Sequence, residues 1–593
     1  MENTNKYYRN KPIREFDLNK TMYETINMYN SDNLNSTAVS FLGYNMKYGQ
    51  LMDNVNKLAD AYVKSGVKCG DTVAICTINM PLVQENLLAL SKIGVTSKWI
   101  DLRCKPKELI KNINDSNCNI IVAFEDIVPV IADIISETNL KKVIVASPKS
   151  YLNPLIRVLA DLRDKHNGKI LNIPAGDKFI DYKSFLNSGK INNNIKAVSF
   201  EKDRPSLIIQ SSGSTGVPKS IIHTEYNFNS EMQKEAYSDL PFEKGKTMHI
   251  AIPPFIIYGL CNSVYAAMAF SMKAEMTPFI SETTVYDDLG KFDYSCAAPL
   301  HYRYIYNKIL ELEERIKYLS SMNDKKSKID LHKSLVELSS IFKKINRVKV
   351  FVSGGDKMSS TELLQMEHTL GKTIVNGYGN NEVSGAAIIS PVYACKPDSI
   401  GIPLKGVEVA CFDPETGDRK NVNEIGEICI QTDSAFVGYL GNPSETEKVK
   451  RKHGDGKSWI HTGDLGYIDE DGFVYIEGRS KRLIKRNSFK ISPNTIENVI
   501  MKIDDVNDCV VVGVPDEKEQ SVPMAYIEIK PDCKLNIQDV IAKINKICKD
   551  ELPDYEIPKY VEIIEKIPYN NQKKAFKELE NAGAEFVLKK KLS

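Results

Sequence analysis

Closely spaced cysteine pairs and an excess of either charge are both missing from this 593-residue sequence. The twelve cysteines are scattered and include no C-x-x-C pair, which argues against a zinc site or a disulfide framework and for reduced thiols. Lysine and arginine number 78 against 77 acidic residues, so the net charge is only +1. A chain with this balance gives no electrostatic reason to expect nucleic-acid binding.

An apolar targeting signal is also missing. Residues 1–20 are polar and charged, so we expect a cytoplasmic rather than a secreted protein. One uncharged stretch, residues 251–270, has the length of a membrane span. Because Pro253 and Pro254 stand near its start and Asn262 interrupts it, we predict a loop and a buried helix there, and no transmembrane segment. A peripheral membrane contact is the alternative.

The first half of the chain alternates helical and strand patterns. Residues 51–63 and 83–93 have the apolar spacing of helices, whereas residues 72–76, 120–124 and 142–146 are short β-branched runs typical of strands. This alternation predicts an α/β fold in which helices cover the strands.

The second half indicates a division into two domains. We predict a large multi-layer N-terminal domain over residues 1–480 and a small, mobile α+β domain over residues 481–593, where short strands alternate with helices. Residues 147–186 and 310–346 resemble additions to the large domain. The second of these is highly charged and helical in period, so we expect a surface helical pair.

A glycine- and serine-rich loop follows the apolar strand pattern at residues 207–209. Hydroxyl groups and close backbone approach suit phosphate oxygens, and a lysine adds positive charge. The spacing of the glycines matches neither the Walker loop nor a dinucleotide fingerprint. A plain turn between strands is the alternative for such a loop. The candidate phosphate-binding residues are Ser211, Ser212, Gly213, Ser214, Thr215, Gly216 and Lys219.

This loop resembles the phosphate loop of the adenylate-forming superfamily, which contains acyl- and aryl-CoA synthetases, peptide-synthetase adenylation domains and luciferases. Further motifs stand in the order that the superfamily shows, over roughly residues 40–580. They are N-G-Y-G-N-N-E from Asn376, G-E-I from Gly426, G-Y-L from Gly438, H-T-G-D-L-G from His461, G-R-S-K from Gly478, and Ile567-Pro568 followed by Lys573-Lys574.

The resemblance implies nucleotide-binding roles in the large domain. It matches Tyr378 to the aromatic residue that lies against adenine and Asn376 to a group at the adenine edge. It matches Glu382 to the carboxylate that holds Mg²⁺, a hard ion suited to oxygen ligands. Further candidate positions for binding the nucleotide are Gly354, Gly355, Gly379 and Asn381.

Other roles fall later in the chain. The resemblance matches Asp464 to the residue that grips the ribose hydroxyls and Arg479 to a second nucleotide contact. Lys574 matches the lysine that bridges the acid carboxylate and the α-phosphate. Lys481 falls at the hinge about which the small domain turns between the two steps of the reaction.

Several positions depart from the superfamily pattern. Asn381 replaces a threonine, Lys573 and Ser488 replace glycines, and Ile256 replaces a histidine. Residues 255–265 contain no acidic residue to pair with the ammonium group of an amino acid, and an unpaired buried ammonium is costly. We therefore expect a fatty or aromatic acid without an α-amino group.

The resemblance implies an ATP-dependent acid–thiol ligase, an AMP-forming acyl-CoA synthetase that uses ATP, Mg²⁺ and coenzyme A. It would form an acyl-adenylate and then an acyl-CoA thioester, as in fatty acid metabolism. Two alternatives stay open. One is a stand-alone enzyme that loads the phosphopantetheine of a carrier protein, with the charged residues 310–346 as a docking surface. The other is a nucleotide-binding homologue without turnover, which the departures would explain.

Overall fold

The computed structural model describes residues 7–9, 11–153, 157–159, 162, 177–191, 194–210, 218–356, 358, 360–479, 482–486, 489–531, 533–570 and 573–592. Its contacts divide the chain into two compact units, Met1–Glu408 with Ile430–Ile460, and Val409–Cys429 with His461–Ser593. The second unit thus includes segments before residue 480 that we assigned to the large domain. Because residues 480 and 481 lie outside the described residues, the predicted boundary between them stays a prediction.

The first unit contains a largely parallel sheet whose central strands are buried on both faces. The three strands predicted at residues 72–76, 120–124 and 142–146 are confirmed with the same bounds. Continuous apolar runs such as these suit parallel strands covered by helices. The order of the sheet is Gly438–Tyr439, Ser220–Thr224, Pro205–Gln210, Thr96–Trp99, Thr72–Cys76, Ile120–Phe124, Lys142–Ala146, Phe179–Asp181.

A second sheet of the first unit positions the candidate site. Its central strands are parallel, and its last strands on each side are antiparallel. The order of the strands is Ser399–Pro403, Gly385–Ile389, Ile374–Asn380, Val350–Gly354, Tyr294–Ala297, Thr247–Ile250, Lys273–Met276, Thr37–Phe41, Tyr44–Lys47.

Helices cover these sheets, and the helices predicted at residues 51–63 and 83–93 are confirmed as Tyr48–Lys64 and Leu82–Lys92. The other α-helices of the first unit are Met22–Tyr29, Pro106–Asp115, Val128–Ile134, Tyr182–Ser188, Glu225–Tyr237, Ile257–Gly259, Ala266–Ala269, Glu282–Asp288, Pro299–Ser320, Lys325–Arg347, Ser360–Leu370 and Pro443–Val449. Short 3-10 turns occur at Glu125–Ile127, Ile135–Glu137, Pro148–Tyr151 and Asn381–Val383.

The uncharged stretch at residues 251–270 forms a loop and a buried helical segment, as predicted. Its middle part, Leu260–Tyr265, is a π-helical turn in which every residue is buried. Among the described residues, no helix has the length and apolar character needed to cross a bilayer.

The charged residues 310–346 form the predicted helical pair. The two helices, Pro299–Ser320 and Lys325–Arg347, bury Ile305, Ile309 and Ile345 in a shared apolar core, while their charged residues face outward. Much of the other predicted addition, residues 147–186, lies outside the described residues. The later part of the segment 147–186 adds the edge strand Phe179–Asp181 beside Lys142–Ala146.

The second unit is built mainly from antiparallel strands and amphipathic helices. Strands Glu408–Phe412, Gly426–Gln431, Ser458–Ile468 and Val474–Arg479 are neighbours in that order. A further sheet and its helices form two apolar clusters. Its strands are Phe489–Ile491, Ile484–Arg486, Gln520–Ile529, Val506–Asp516 and Tyr560–Ile564, the hairpin is Tyr569–Asn570 with Lys573–Lys574, and the helices are Pro493–Ile500, Ile537–Glu551 and Phe576–Leu592.

Candidate active site

The candidate nucleotide-binding residues of the first unit meet at the edge of its second sheet that is formed by the carboxyl ends of the parallel strands. Strand Val350–Gly354 lies parallel to Ile374–Asn380, with Gly354 opposite Gly377. In α/β sheets, ligands bind at the carboxyl ends of parallel strands. The structure therefore places the turn at Gly354 beside Asn376 and Tyr378, as a shared binding site requires.

Glu382 lies in a short 3-10 turn directly after this edge. The side chain of Asn380 caps the turn by accepting a hydrogen bond from the Val383 amide at 3.1 Å. Tyr439 donates its hydroxyl to Glu382 Oε1 at 2.8 Å. Burial, followed by the nearby Glu382 carboxylate, raises the pKa of Tyr439 above its usual value, so the phenol stays a donor. One carboxylate oxygen is thus held in place by a residue 57 positions further along the chain.

Lys219 approaches the same tyrosine from a different segment. Its ammonium lies 4.8 Å from the centre of the Tyr439 ring and 2.6 Å from Glu445 Oε2. Hydrogen bonds from Lys219 and Lys448 lower the pKa of Glu445 to about 2. The structure therefore brings Lys219 to the ring and Glu382 to the hydroxyl of Tyr439, which the sequence did not identify as a site residue.

The glycine-rich loop itself lies outside the described residues, together with the predicted roles of Ser211, Ser212, Gly213, Ser214, Thr215 and Gly216. The residue before the loop, Gln210, accepts a hydrogen bond through its carbonyl oxygen from Asn381 Nδ2 at 3.3 Å. Asn381 therefore joins the turn that carries Glu382 to the start of the loop.

Gly379 permits a close approach of two strands at the site. A Cβ atom at this position would lie 1.7 Å from the carbonyl oxygen of Gly385 on the adjoining strand. Because backbone atoms cannot yield to such a clash, the residue here has to be glycine. Its role is to fix the strand that carries Tyr378, and direct nucleotide contact by Gly379 stays a prediction.

In the second unit, Asp464 and Arg479 lie directly opposite each other on paired strands. The side chain of Arg479 is not among those described. Asp464 is buried, and its amide donates to Thr462 Oγ1 at 3.0 Å, while the Thr462 hydroxyl donates to the carbonyl of Ile428 at 2.7 Å. The two residues predicted to bind ribose and phosphate thus belong to one hairpin.

A buried carboxylate and imidazole support the segment before Asp464. Glu427 Oε2 lies 2.8 Å from His461 Nδ1, and Glu427 Oε1 accepts the Gly463 amide at 2.9 Å. Cys429 lies two positions along the same strand, and the ligand atoms of these three side chains are within 4.8 Å of one another. The direct carboxylate–imidazole hydrogen bond accounts for this closeness. The sequence contained the motifs, but the pairing between them is visible only in the fold.

Lys574 makes its contacts within the second unit. Its ammonium donates to the carboxylate of Asp508 and to the carbonyl of Cys509, the latter at 2.9 Å. Tyr569 donates to the other oxygen of Asp508 at 2.7 Å. Lys481, the predicted hinge, lies outside the described residues, as does the side chain of Lys573.

A buried network of charged groups supports the strand after Glu382. Lys234 and Glu231 form an ion pair at 2.5 Å on helix Glu225–Tyr237. Glu231 Oε1 accepts the Ala386 amide at 2.9 Å, and Lys234 Nζ donates to the Ala386 carbonyl at 3.0 Å. A second buried carboxyl on this helix, that of Glu235, accepts a hydrogen bond from Asn262 Nδ2 at 2.6 Å.

Burial, followed by the charge of Glu231, raises the pKa of Glu235 from 4.5 to about 8. Between these pH values the folded chain holds a proton that the unfolded chain has released, so stability falls as pH rises through this window. We expect a slope of up to about 1.4 kcal/mol per pH unit. Urea unfolding of Glu235→Gln should show a flatter pH dependence than the parent, whereas the exposed control Glu282→Gln should leave it unchanged. An unchanged slope in Glu235→Gln would contradict the shift.

Comparison with known families and proteins agrees with this geometry. Residues 29–440 match the family model of AMP-binding enzymes, and residues 495–574 match the model of the AMP-binding enzyme C-terminal domain. The chain is 25% identical over 546 residues to a putative acyl-CoA ligase, YdaB, of Bacillus subtilis, covering 91% of this chain and 95% of that protein. It is 25% identical over 541 residues to a long-chain-fatty-acid–CoA ligase of the same organism, covering 90% and 89%.

A solved structure shares the fold. ATP-bound MatB from Rhodopseudomonas palustris superposes with a TM-score of 0.77 at 19% identity, covering 96% of this chain and all of that chain. The chain therefore belongs to the family of AMP-binding enzymes, and it is an adenylate-forming enzyme similar to acyl- and aryl-CoA ligases. The expected α/β fold with a large N-terminal and a small C-terminal domain is confirmed.

Proposed function

We propose that this protein activates a carboxylic acid with ATP, releases pyrophosphate, and transfers the acyl group from the adenylate to the thiol of coenzyme A. The observation that carries the proposal is the convergence of Lys219 and Glu382 on Tyr439, beside the edge that presents Tyr378. A cation and a carboxylate beside an aromatic ring, next to the carboxyl end of a parallel strand, suit a nucleoside triphosphate.

Each group supplies one part of the reaction. The acid carboxylate attacks the α-phosphorus, a bond to the bridging oxygen breaks, and pyrophosphate leaves. Negative charge grows on the phosphoryl oxygens, and preplaced cations stabilise it. In this proposal Lys219 neutralises the departing phosphates, Asp464 holds the ribose hydroxyls, and Lys574 bridges the acid and the α-phosphate. The thiol then attacks the carbonyl carbon of the adenylate, and AMP leaves.

The Glu382 carboxylate also fits the Mg²⁺ that the family implies. Magnesium is commonly held by one or two protein carboxylates together with substrate phosphates. Because Tyr439 fixes Glu382 Oε1, the carboxylate has a defined orientation before any ion binds. When bound, the ion would neutralise charge on the phosphates.

The direct test is release of pyrophosphate from ATP and Mg²⁺ with a panel of fatty and aromatic acids, with and without coenzyme A, together with mass detection of the thioester. An acyl-CoA product that requires all components supports the proposal. Absence of ATP–pyrophosphate exchange with every acid of the panel would overturn it and favour a nucleotide-binding protein without turnover.

One observation favours a carrier protein as the thiol donor instead. Helix Lys325–Arg347 carries seven lysines and arginines against two acidic residues, and its Ile329 and Val336 are exposed. A basic surface with exposed apolar side chains suits a partner with an acidic surface. In this case adenylate would form without any acyl-CoA product, and a phosphopantetheine-loaded acidic carrier protein would be acylated instead.

The pairing of Glu427 with His461 predicts a selective effect on ATP binding. Glu427→Ala removes the acceptor for the Gly463 amide, so Asp464 loses its fixed position. We expect the KM for ATP to rise about 10-fold or more, since a hydrogen bond to a charged group is worth about 1.5 kcal/mol or more, while kcat changes less. Glu427→Gln should restore most of the affinity, because its amide oxygen still accepts the Gly463 amide. The exposed Glu424→Ala is the control. A fall in kcat with an unchanged KM would contradict this role.

A further inference from the structure

Glu235 is a buried carboxyl that the mechanism above leaves unused. Only 5% of the residue is exposed, and Asn262 Nδ2 donates to its Oε1. Its other oxygen, Oε2, is buried and has no hydrogen-bond partner among the described residues. Leaving a buried polar atom unpaired costs stability, so such an atom calls for an explanation.

The neighbouring Glu231 differs from Glu235 in having a structural role. The ammonium of Lys234 and the amide of Ala386 both bind Glu231, and these contacts fix the strand after Glu382. Lys234 therefore lies near two buried glutamates, and Glu231 already neutralises its charge. The Oε2 atom of Glu235, by contrast, has no hydrogen-bond partner among the described residues.

Glu235 lies next to the edge of the sheet that presents the candidate nucleotide-binding residues. Its charge, after burial, contributes to the raised pKa of Cys296, near the end of one parallel strand, and to that of Tyr258. Tyr258 donates to the carbonyl of Val352, and its ring would lie 3.3 Å from a Cβ atom at Gly354. Tyr258 precedes Asn262, the partner of Glu235, in one short segment, and that segment therefore contacts both the Gly354 turn and Glu235.

Asn262, which binds Glu235, lies in a segment with an unusual backbone conformation. Asn262 lies in the π-helical turn Leu260–Tyr265, and such turns occur frequently at functional sites. Its amide packs against Gly385, where a Cβ atom would lie only 1.9 Å from Asn262 Oδ1. That oxygen is also buried without a partner among the described residues. Glu235 Oε2 and Asn262 Oδ1, on hydrogen-bonded neighbours, are thus both buried without a partner among the described residues.

We propose that Glu235, with Asn262, binds a hydrogen-bond donor, a hydroxyl or an ammonium group, on the end of the substrate remote from its reacting carboxylate. This rests on the proposed function, because the acid has to start beside the nucleotide and extend inward past Tyr258. The proposal changes the substrate class expected from sequence. Residues 255–265 contain no acidic residue, but Glu235 reaches Asn262 from a different helix, so the argument for a purely apolar tail does not hold in the folded chain.

The test compares acids that differ only in the distal group. Two matched series are 4-ethylbenzoate, 4-(hydroxymethyl)benzoate and 4-(aminomethyl)benzoate, and heptanoate, 6-hydroxyhexanoate and 6-aminohexanoate. We expect kcat/KM for pyrophosphate release to favour a donor-bearing acid over its methyl counterpart by on the order of 10²-fold. The hydroxyl and ammonium members show which donor is preferred.

Two variants of Glu235 and one control variant test whether the preference for donor-bearing acids depends on Glu235. Glu235→Leu should reverse the preference towards the methyl acid, and the isosteric Glu235→Gln should retain preference for the hydroxyl but lose any for the ammonium. Glu225→Gln alters another buried glutamate of the same helix, bound by the Met22 amide, and should leave the ratios unchanged.

Two results would overturn the inference in different ways. Efficient turnover of the methyl acids, with ratios that Glu235→Leu and Glu235→Gln do not move, would remove Glu235 from recognition and leave the ligase function intact. No pyrophosphate release from any acid by the parent enzyme would overturn the proposed function and this inference with it.

Discussion

Replacing Lys574 with alanine should lower the rate of ATP–pyrophosphate exchange by about 10²–10³-fold, the usual cost of removing one preplaced group that stabilises a transition state. The charge that develops on the α-phosphate needs a cation beside it, and no neutral side chain can supply one. The second step does not need this cation. Formation of thioester from synthetic acyl-adenylate and coenzyme A should therefore fall much less than exchange does.

Contacts within the second unit hold the Lys574 ammonium in place between turnovers. Asp508 binds it, and Tyr569 holds Asp508 in place through the other carboxylate oxygen. Because one ammonium group has few donors, its binding to Asp508 competes with binding to phosphate. Removing the lysine should cost little stability, since the side chains of Lys574 and Asp508 are both partly exposed.

Two control variants make the result specific. Lys573→Ala tests the adjacent lysine, which stands where the superfamily has glycine, and should retain most exchange activity. Lys577→Ala alters an exposed lysine of the following helix and should behave like the parent. Loss of exchange in Lys573→Ala with retention in Lys574→Ala would reassign the role to the neighbouring residue.

The fold was largely predictable because its signals are local. Strand Thr72–Cys76 and helix Tyr48–Lys64 each show their apolar period within a few residues, and burial in the fold preserves that pattern. These features need no knowledge of distant parts of the chain.

The partners of the site residues could not be predicted in this way. Lys219 pairs with Glu445, 226 positions later, and Glu382 binds Tyr439. Neither pairing follows from spacing, because each depends on how the strands are ordered in a sheet. The same reason explains why a search of residues 255–265 for acidic groups missed Glu235, which reaches Asn262 from 27 positions away.

The buried ion pair between Lys234 and Glu231 gives the largest expected effect on stability. Lys234→Met should lower the free energy of unfolding of the first unit by about 3–5 kcal/mol, because it leaves the Glu231 carboxylate buried without its counter-charge. The same change removes donors to the Ala386 carbonyl and to Ser434 Oγ, which lie at 3.0 and 2.8 Å.

A matched surface pair isolates the effect of burial. Lys333 and Asp330 have the same order and spacing on an exposed helix, so Lys333→Met should change stability by about 0–1 kcal/mol. Chemical denaturation followed by circular dichroism compares the two variants. Burial raises the pKa of Glu231, so lowering the pH should protonate part of the unpaired carboxylate and shrink the deficit of Lys234→Met. Equal losses of unfolding free energy in the two variants would show that Lys234 does not compensate the charge of Glu231. A deficit of Lys234→Met that grows as pH falls would show the same. In either case the strand after Glu382 would be held in position by packing alone.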